Sequence, residues 1–180
     1  MFHEFTHIFD GNKTFFNITD KDKYDKLMST YSEYHASQIE IMTILGYSSI
    51  NMDNHKFDLS DKIYYKNELL TVNEYLLRPL ADSLVILNKS RVDFIFLSKN
   101  EYYIKYCIAE RSMLYYLGKY NICQSYGKQS PHYFFHEFDE FQEDVKIIYN
   151  SLINKDLDDF LKCINDFMKH YLEYFLMPLK

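Results

Sequence analysis

The chain has 180 residues and a formal net charge of −6, with hydrophobic side chains at 47% of its positions. This predicts one domain with a substantial core, and the lack of any long Lys/Arg run argues against direct binding to nucleic acid. Gly (4) and Pro (3) are scarce beside 18 Tyr and 15 Phe, which favours long helices over a many-stranded β fold.

The first predicted element is a short helix at residues 1–10, ended by Gly11. It contains the pattern HEFTH, in which His3 and His7 stand four residues apart and so lie one above the other on the helix. Two imidazoles in this arrangement can hold one tetrahedral Zn²⁺. Glu4 is offset by one residue, which places its carboxylate beside the metal, where it can accept a proton from water.

A second helix is predicted from Thr19 to Leu45, ended by Gly46. Its large apolar side chains recur at helical spacing and predict the buried face. They are Tyr24, Leu27, Met28, Tyr31, Tyr34, Ile39, Met42 and Leu45.

Two stretches, HEFTHIFD and SEYHASQIE, together resemble the zincin metallopeptidases of the gluzincin type. The likeness is greatest to the small phage-associated peptidases of the ImmA/IrrE kind, and it covers only the first quarter of the chain. In that family a second helix supplies a Glu ligand to the zinc. The resemblance therefore implies a zinc cofactor, hydrolysis of peptide bonds in a protein substrate, and an origin in a phage or mobile element.

The third zinc ligand that the resemblance implies is Glu33, with His35 as the alternative. Small residues share the side of the helix that carries Glu33 and would let the HExxH helix approach closely; they are Ser29, Thr30, Ala36 and Ser37. His35 directly precedes Ala36, a position where relatives often place their ligand Glu. Asp10 and Glu40 are candidate outer partners that would orient a zinc-bound imidazole.

In a zincin a β-sheet normally precedes the HExxH helix, and the edge strand of that sheet aligns the peptide substrate. This sequence departs from that pattern, because its HEFTH pattern begins at residue 3. If the chain cleaves peptides, we expect residues 62–72 or a partner protein to supply such a strand. The alternative is that the chain no longer cleaves peptides. A second hypothesis is accordingly a non-enzymatic interaction module or inhibitor that acts on a protein target through an acidic, Tyr-rich helical surface, with a vestigial or structural metal motif.

The rest of the chain predicts one short β-hairpin and further helices. The hairpin covers residues 62–72 and turns at Asn67 and Glu68, and Thr71 with Glu74 forms a capping box for the next helix, which contains Pro79. The later helices are predicted at about 91–117, ending near Gly118, from Pro131 to about 152, and from Asp156 to about 176.

The predicted fold is thus a single, mainly α-helical domain with a minimal two-helix metal site at 1–50 and a helical region of unknown role at 51–180. His132, His136 and Glu140 also stand at helical spacing, and we interpret them as the polar edge of a core helix. The cysteines are interpreted as buried apolar positions; they are Cys107, Cys123 and Cys163. Apolar runs too short to cross a bilayer and no visible signal peptide predict a cytoplasmic protein without membrane contact.

Overall fold

A computed structural model describes residues 21–46, 56–91, 98–129, 131, 142–153 and 157–176. Within these residues the chain forms five helices and one two-stranded antiparallel hairpin, so the predicted mainly α class is confirmed. The fold divides into two compact units. One comprises the described residues within Met1–Pro79 and Leu114–His132, and the other those within Leu80–Met113 and Tyr133–Lys180. The division of roles at residue 50 stays a prediction.

Helix α1 spans Lys21–Ile44. It ends as predicted at Gly46, whose φ of 72° suits glycine in the left-handed region. The buried face differs from the predicted stripe of large apolar side chains. Among the members of that stripe whose burial the structure describes, only Tyr34 is fully buried, and the other buried positions described on α1 carry mostly small residues: Thr30, Ser32, Ala36, Ser37 and Ile41.

The hairpin pairs β1 (Lys62–Tyr65) with β2 (Glu68–Thr71). The two turn residues are Lys66 and Asn67, with φ of 47° and 68°, so the turn lies one residue earlier than predicted. Two positive φ values at the centre of a two-residue loop correspond to a type I′ turn, whose twist matches that of the strands.

Helix α2 spans Val72–Arg91 and begins at the predicted capping box. The Thr71 hydroxyl accepts a hydrogen bond from the Glu74 backbone N–H at 3.0 Å, and the Glu74 carboxylate accepts one from the Thr71 N–H at 2.6 Å. The bond from the Thr71 N–H to the carboxylate, together with one from the Thr71 hydroxyl, lowers the pKa of Glu74, because both favour its charged form. Pro79 lies inside the helix.

Helix α3 spans Lys99–Tyr126, and the predicted bounds of about 91–117 are wrong at both ends. The helix starts at a second capping box, in which the backbone N–H of Ser98 donates to the Glu101 carboxylate at 2.8 Å. It passes through Gly118, the expected end, and stops before Gly127, whose N–H donates to the Cys123 carbonyl at 2.9 Å.

Gly118 is therefore a packing residue and not a helix cap. A Cβ built there would lie 1.8 Å from Ser37 Oγ and 2.3 Å from the Tyr34 carbonyl oxygen. Both distances are far inside van der Waals contact, so only glycine lets α3 approach α1 this closely. The same approach explains why small residues form the buried face of α1.

Helices α4 (Gln142–Ile153) and α5 (Leu157–Leu176) pack against each other in the second unit. Their bounds agree with the predicted ends near 152 and 176 and the predicted start at 156. Residues 132–141, including the first part of the helix predicted from Pro131, lie outside the described residues. None of the described helices has both the length and the apolarity needed to cross a bilayer.

Candidate functional site

The predicted HExxH segment lies outside the described residues, and so do His3, Glu4, His7 and Asp10. The predicted roles of these four residues stay predictions. The structure describes three of the predicted site residues, which are Glu33, His35 and Glu40, all on α1. The second histidine pair, His132 and His136 with Glu140, also falls outside the described part of the chain.

Glu33 and His35 project from opposite sides of α1, because residues two positions apart on an α-helix are separated by about 200°. Both side chains are half-buried. One carboxylate oxygen of Glu33, Oε2, lies inside the protein. The His35 ring lies beside the ring of Tyr31, with centroids 6.1 Å apart. A helix that docks on one side of α1 can therefore meet Glu33 or His35, but not both.

The small residues around Glu33 were expected to receive the HExxH helix. The structure places Gly118 of α3 against one of them, Ser37. The Ser37 hydroxyl donates to the Tyr34 carbonyl at 2.7 Å, so it too is engaged. Part of the small-residue face of α1 is thus covered by α3.

Glu40 was expected to orient a zinc-bound imidazole, and it has a different partner among the described residues. Its Oε2 lies 3.6 Å from Nζ of Lys119 on α3. The Lys119 side chain is only 4% exposed, whereas that of Glu40 is 29% exposed. The pair therefore joins a buried cation to a carboxylate that reaches solvent.

Aromatic rings complete the surroundings of the Lys119 ammonium. Nζ lies 3.8 Å from the ring centroid of Tyr75 on α2, close enough for a strong cation–π contact. Tyr75 is fully buried, and its ring meets that of Tyr65 edge to face with centroids 4.8 Å apart. At the hairpin turn, Lys66 Nζ lies 5.1 Å from the Tyr65 ring centroid. Helices α1, α2 and α3 thus converge on one buried amine, and strand β1 packs against the Tyr75 ring.

The environment changes the protonation of these groups. Burial lowers the pKa of Lys119 to about 8, although the Glu40 carboxylate opposes this effect. Burial raises the pKa of Tyr75 well above its ordinary range, and the negative charge of Glu40 adds to the effect. Burial likewise raises the pKa of the Cys123 thiol to about 12. We call Glu40, Tyr75 and Lys119 the buried lysine cluster.

Sequence reasoning missed the buried lysine cluster. Lys119 lies in a Tyr-rich stretch at residues 102–120, in which Tyr116 and Tyr120 are buried. One signal was present: Lys119 is flanked by LYYLG and YNIC, so nearly every helical neighbour is apolar or small.

Among the cysteines, Cys123 is buried as predicted, whereas Cys107 and Cys163 are half-buried.

The described part of the chain contains no group of three or more His, Cys, Asp or Glu side chains that could hold a metal ion. The predicted zinc site needs His3 and His7, which lie outside that part. Comparisons with models of protein families, with curated proteins and with solved structures found no match for this chain.

Proposed function

We propose that the protein binds one Zn²⁺ through His3, His7 and Glu33 and hydrolyses peptide bonds with Glu4 as general base. The observation that carries the proposal is the HExxH spacing at residues 3–7. Two imidazoles and one carboxylate form a donor set typical of a catalytic zinc site, which leaves a fourth position open. Zinc in such a site lowers the pKa of a water molecule and polarises a carbonyl.

Two features of α1 support Glu33 as the third ligand. Its carboxylate is half-buried with Oε2 inside the protein, as a ligand directed at a neighbouring element would be. His35 projects from the opposite side, where its ring lies against Tyr31. The choice between the two residues rests on which side of α1 the HExxH helix meets.

Glu4 would do the proton chemistry. Offset by one residue from His3, it stands beside the ligands and can accept the proton of the attacking water. It then passes that proton to the amine that leaves. The protein substrate and the cytoplasm of a bacterial or phage-infected cell belong to the same proposal and rest on the resemblance alone.

The third ligand is tested by comparing Glu33→Ala with His35→Ala in a zinc competition titration against a chromophoric chelator. We expect Glu33→Ala to weaken zinc binding about 100-fold or more, since even outer partners of zinc ligands contribute 10- to 100-fold. His35→Ala should change the affinity little and mainly affect stability. The reverse ranking would transfer the role to His35.

The hydrolase part is tested with Glu4→Gln, which keeps the size of the side chain and removes the base. The zinc-loaded wild type is assayed on a mixture of internally quenched peptides, with the His3→Ala variant as the metal-free control. Glu4→Gln should retain its zinc and lose about two orders of magnitude or more in cleavage rate. Cleavage by Glu4→Gln at the wild-type rate would exclude a role for Glu4 as the base.

A second candidate function is an interaction module, and exposed apolar side chains near the start of α3 favour it. Tyr103 is 66% exposed and Ile104 is 57% exposed, and both lie in the Tyr-rich stretch at residues 102–120. If this function is correct, Tyr103→Ser with Ile104→Ser abolishes the biological effect of the protein without unfolding it. Glu4→Gln then leaves that effect unchanged, which distinguishes the two candidates.

A further inference from the structure

The buried lysine cluster has the parts of a site for covalent carbonyl chemistry. A primary amine, Lys119 Nζ, lies 3.6 Å from a carboxylate oxygen of Glu40 and 3.8 Å from the ring centroid of Tyr75. Glu40 is the member that reaches solvent. A small molecule would therefore meet the carboxylate first and the amine behind it.

A larger fraction of the Lys119 amine is neutral, and therefore nucleophilic, at pH 7 than in an ordinary lysine. Burial lowers the pKa of Lys119 to about 8, so about one molecule in ten carries a neutral amine at pH 7. An exposed lysine with an ordinary pKa has a neutral fraction about 300 times smaller. Desolvation of this kind activates lysines that form Schiff bases with carbonyl substrates.

We propose that Lys119 is the nucleophile of a second site, one that captures small aldehydes as a Schiff base, with Glu40 as the proton carrier. The lone pair of Nζ attacks the carbonyl carbon, and the electrons of the C=O bond move to the oxygen. Glu40 accepts a proton from the nitrogen and delivers one to that oxygen, which gives a carbinolamine. The hydroxyl then leaves as water with a proton drawn from solvent through Glu40, and a protonated imine remains.

The surroundings of Lys119 suit a cationic product. The face of the Tyr75 ring that now contacts the ammonium would stabilise the iminium cation through the same cation–π attraction. Because the Lys119 side chain is only 4% exposed, the proposal is confined to aldehydes of a few heavy atoms. The chemistry does not involve the proposed zinc site, since none of its three groups belongs to the predicted ligand set.

The test uses glycolaldehyde at low concentration with sodium cyanoborohydride at pH 7, in the presence of EDTA, followed by peptide mapping by mass spectrometry. We expect the reduced adduct on Lys119 at least tenfold ahead of the exposed Lys62 and Lys128. The map identifies the modified residue in the wild-type chain, so the result does not depend on the folding of a variant. Because EDTA removes zinc, the outcome is independent of the hydrolase proposal.

Glu40→Gln provides the second arm, with retention of fold checked by circular dichroism. Loss of the carboxylate removes the group that holds the pKa of Lys119 up, so the neutral fraction of the amine would increase. If Glu40 carries protons, labelling of Lys119 nevertheless becomes slower. Faster labelling in this variant would overturn the role of Glu40. Labelling of Lys119 only after unfolding in urea would overturn the site itself.

Discussion

Glu40→Gln and Lys119→Met are expected to have opposite consequences for stability, although they remove the two halves of one ion pair. Lys119 is 4% exposed and Glu40 is 29% exposed. Removing the Glu40 charge leaves an ammonium buried without its counter-charge. Removing the Lys119 charge leaves a carboxylate that water can still reach. The cost of an unpaired charge depends on how much hydration it can regain.

The magnitude follows from the geometry of the pair. Breaking a fully buried ion pair from one side costs about 3 to 5 kcal/mol. Glu40→Gln should cost less, about 1 kcal/mol at pH 7, because the amine is already neutral in about one molecule in ten and can lose its proton when its counter-charge is removed. Lys119→Met replaces the buried charge by an apolar chain of similar length, so at pH 7 it should leave the free energy of unfolding unchanged or raise it, by up to about 3 kcal/mol.

Urea denaturation of the two single variants and the double variant measures these quantities. The double variant should recover most of the stability lost in Glu40→Gln, because no buried charge remains in it. A Glu40→Gln protein as stable as the wild type, together with a loss of about 3 kcal/mol in Lys119→Met, would refute the reasoning. That result would mean that the pair is a net source of stability and not a cation in need of its counter-charge.

The pH dependence gives an independent check. Lys119 has a folded pKa of about 8 against an ordinary value of 10.5, so between these values the unfolded chain holds a proton that the folded chain lacks. Stability therefore rises with pH in this window, and the penalty for the buried charge, about 3 kcal/mol, is fully present below pH 8. The raised pKa values of Cys123 and Tyr75 act in the opposite direction from about pH 9 upward. Between pH 8 and 9 the wild type should gain about 1 kcal/mol relative to Lys119→Met.

Two further predictions concern backbone positions, both measured by urea denaturation. Gly118→Ala should destabilise the protein by about 2 to 3 kcal/mol, since its Cβ would lie 1.8 Å from Ser37 Oγ. The double variant Gly118→Ala with Ser37→Ala should recover only part of that loss, because the clash with the Tyr34 carbonyl oxygen remains. Full recovery of stability in the double variant would contradict this reasoning. Asn67 has a φ of 68°, so Asn67→Val should lower the free energy of unfolding by about 1 kcal/mol or more. Asn67→Gly should be tolerated, because glycine adopts a positive φ without strain. Equal stability of the two variants would contradict the type I′ turn.

Local signals made part of the fold predictable. The capping box at Thr71 and Glu74 and the glycine at 46 act through neighbours in the chain, so the sequence contains what is needed to find them. The box at Ser98 and Glu101 carries the same pattern and would have corrected the start of α3. The turn was placed one residue too late because Lys66 is not a residue type that signals a positive φ.

Other features depend on contacts between distant parts of the chain. Glycine ends helices and also permits close helix packing, and only the presence of Ser37 opposite Gly118 decides between these roles. Burial of Lys119 depends in the same way on Glu40 and Tyr75, which belong to other helices. Helical periodicity places Glu33 and His35 on opposite sides of α1, but it does not say which side meets the HExxH helix.

The zinc content of the purified protein, measured by elemental analysis beside His3→Ala, tests the central proposal most directly. After purification without chelators and reconstitution with zinc, the wild type should hold about one Zn²⁺ per chain. His3→Ala should hold almost none after the same dialysis, because it has lost one of three ligands. A wild type with well under half an equivalent, or with no more zinc than His3→Ala, would contradict the proposed metal site.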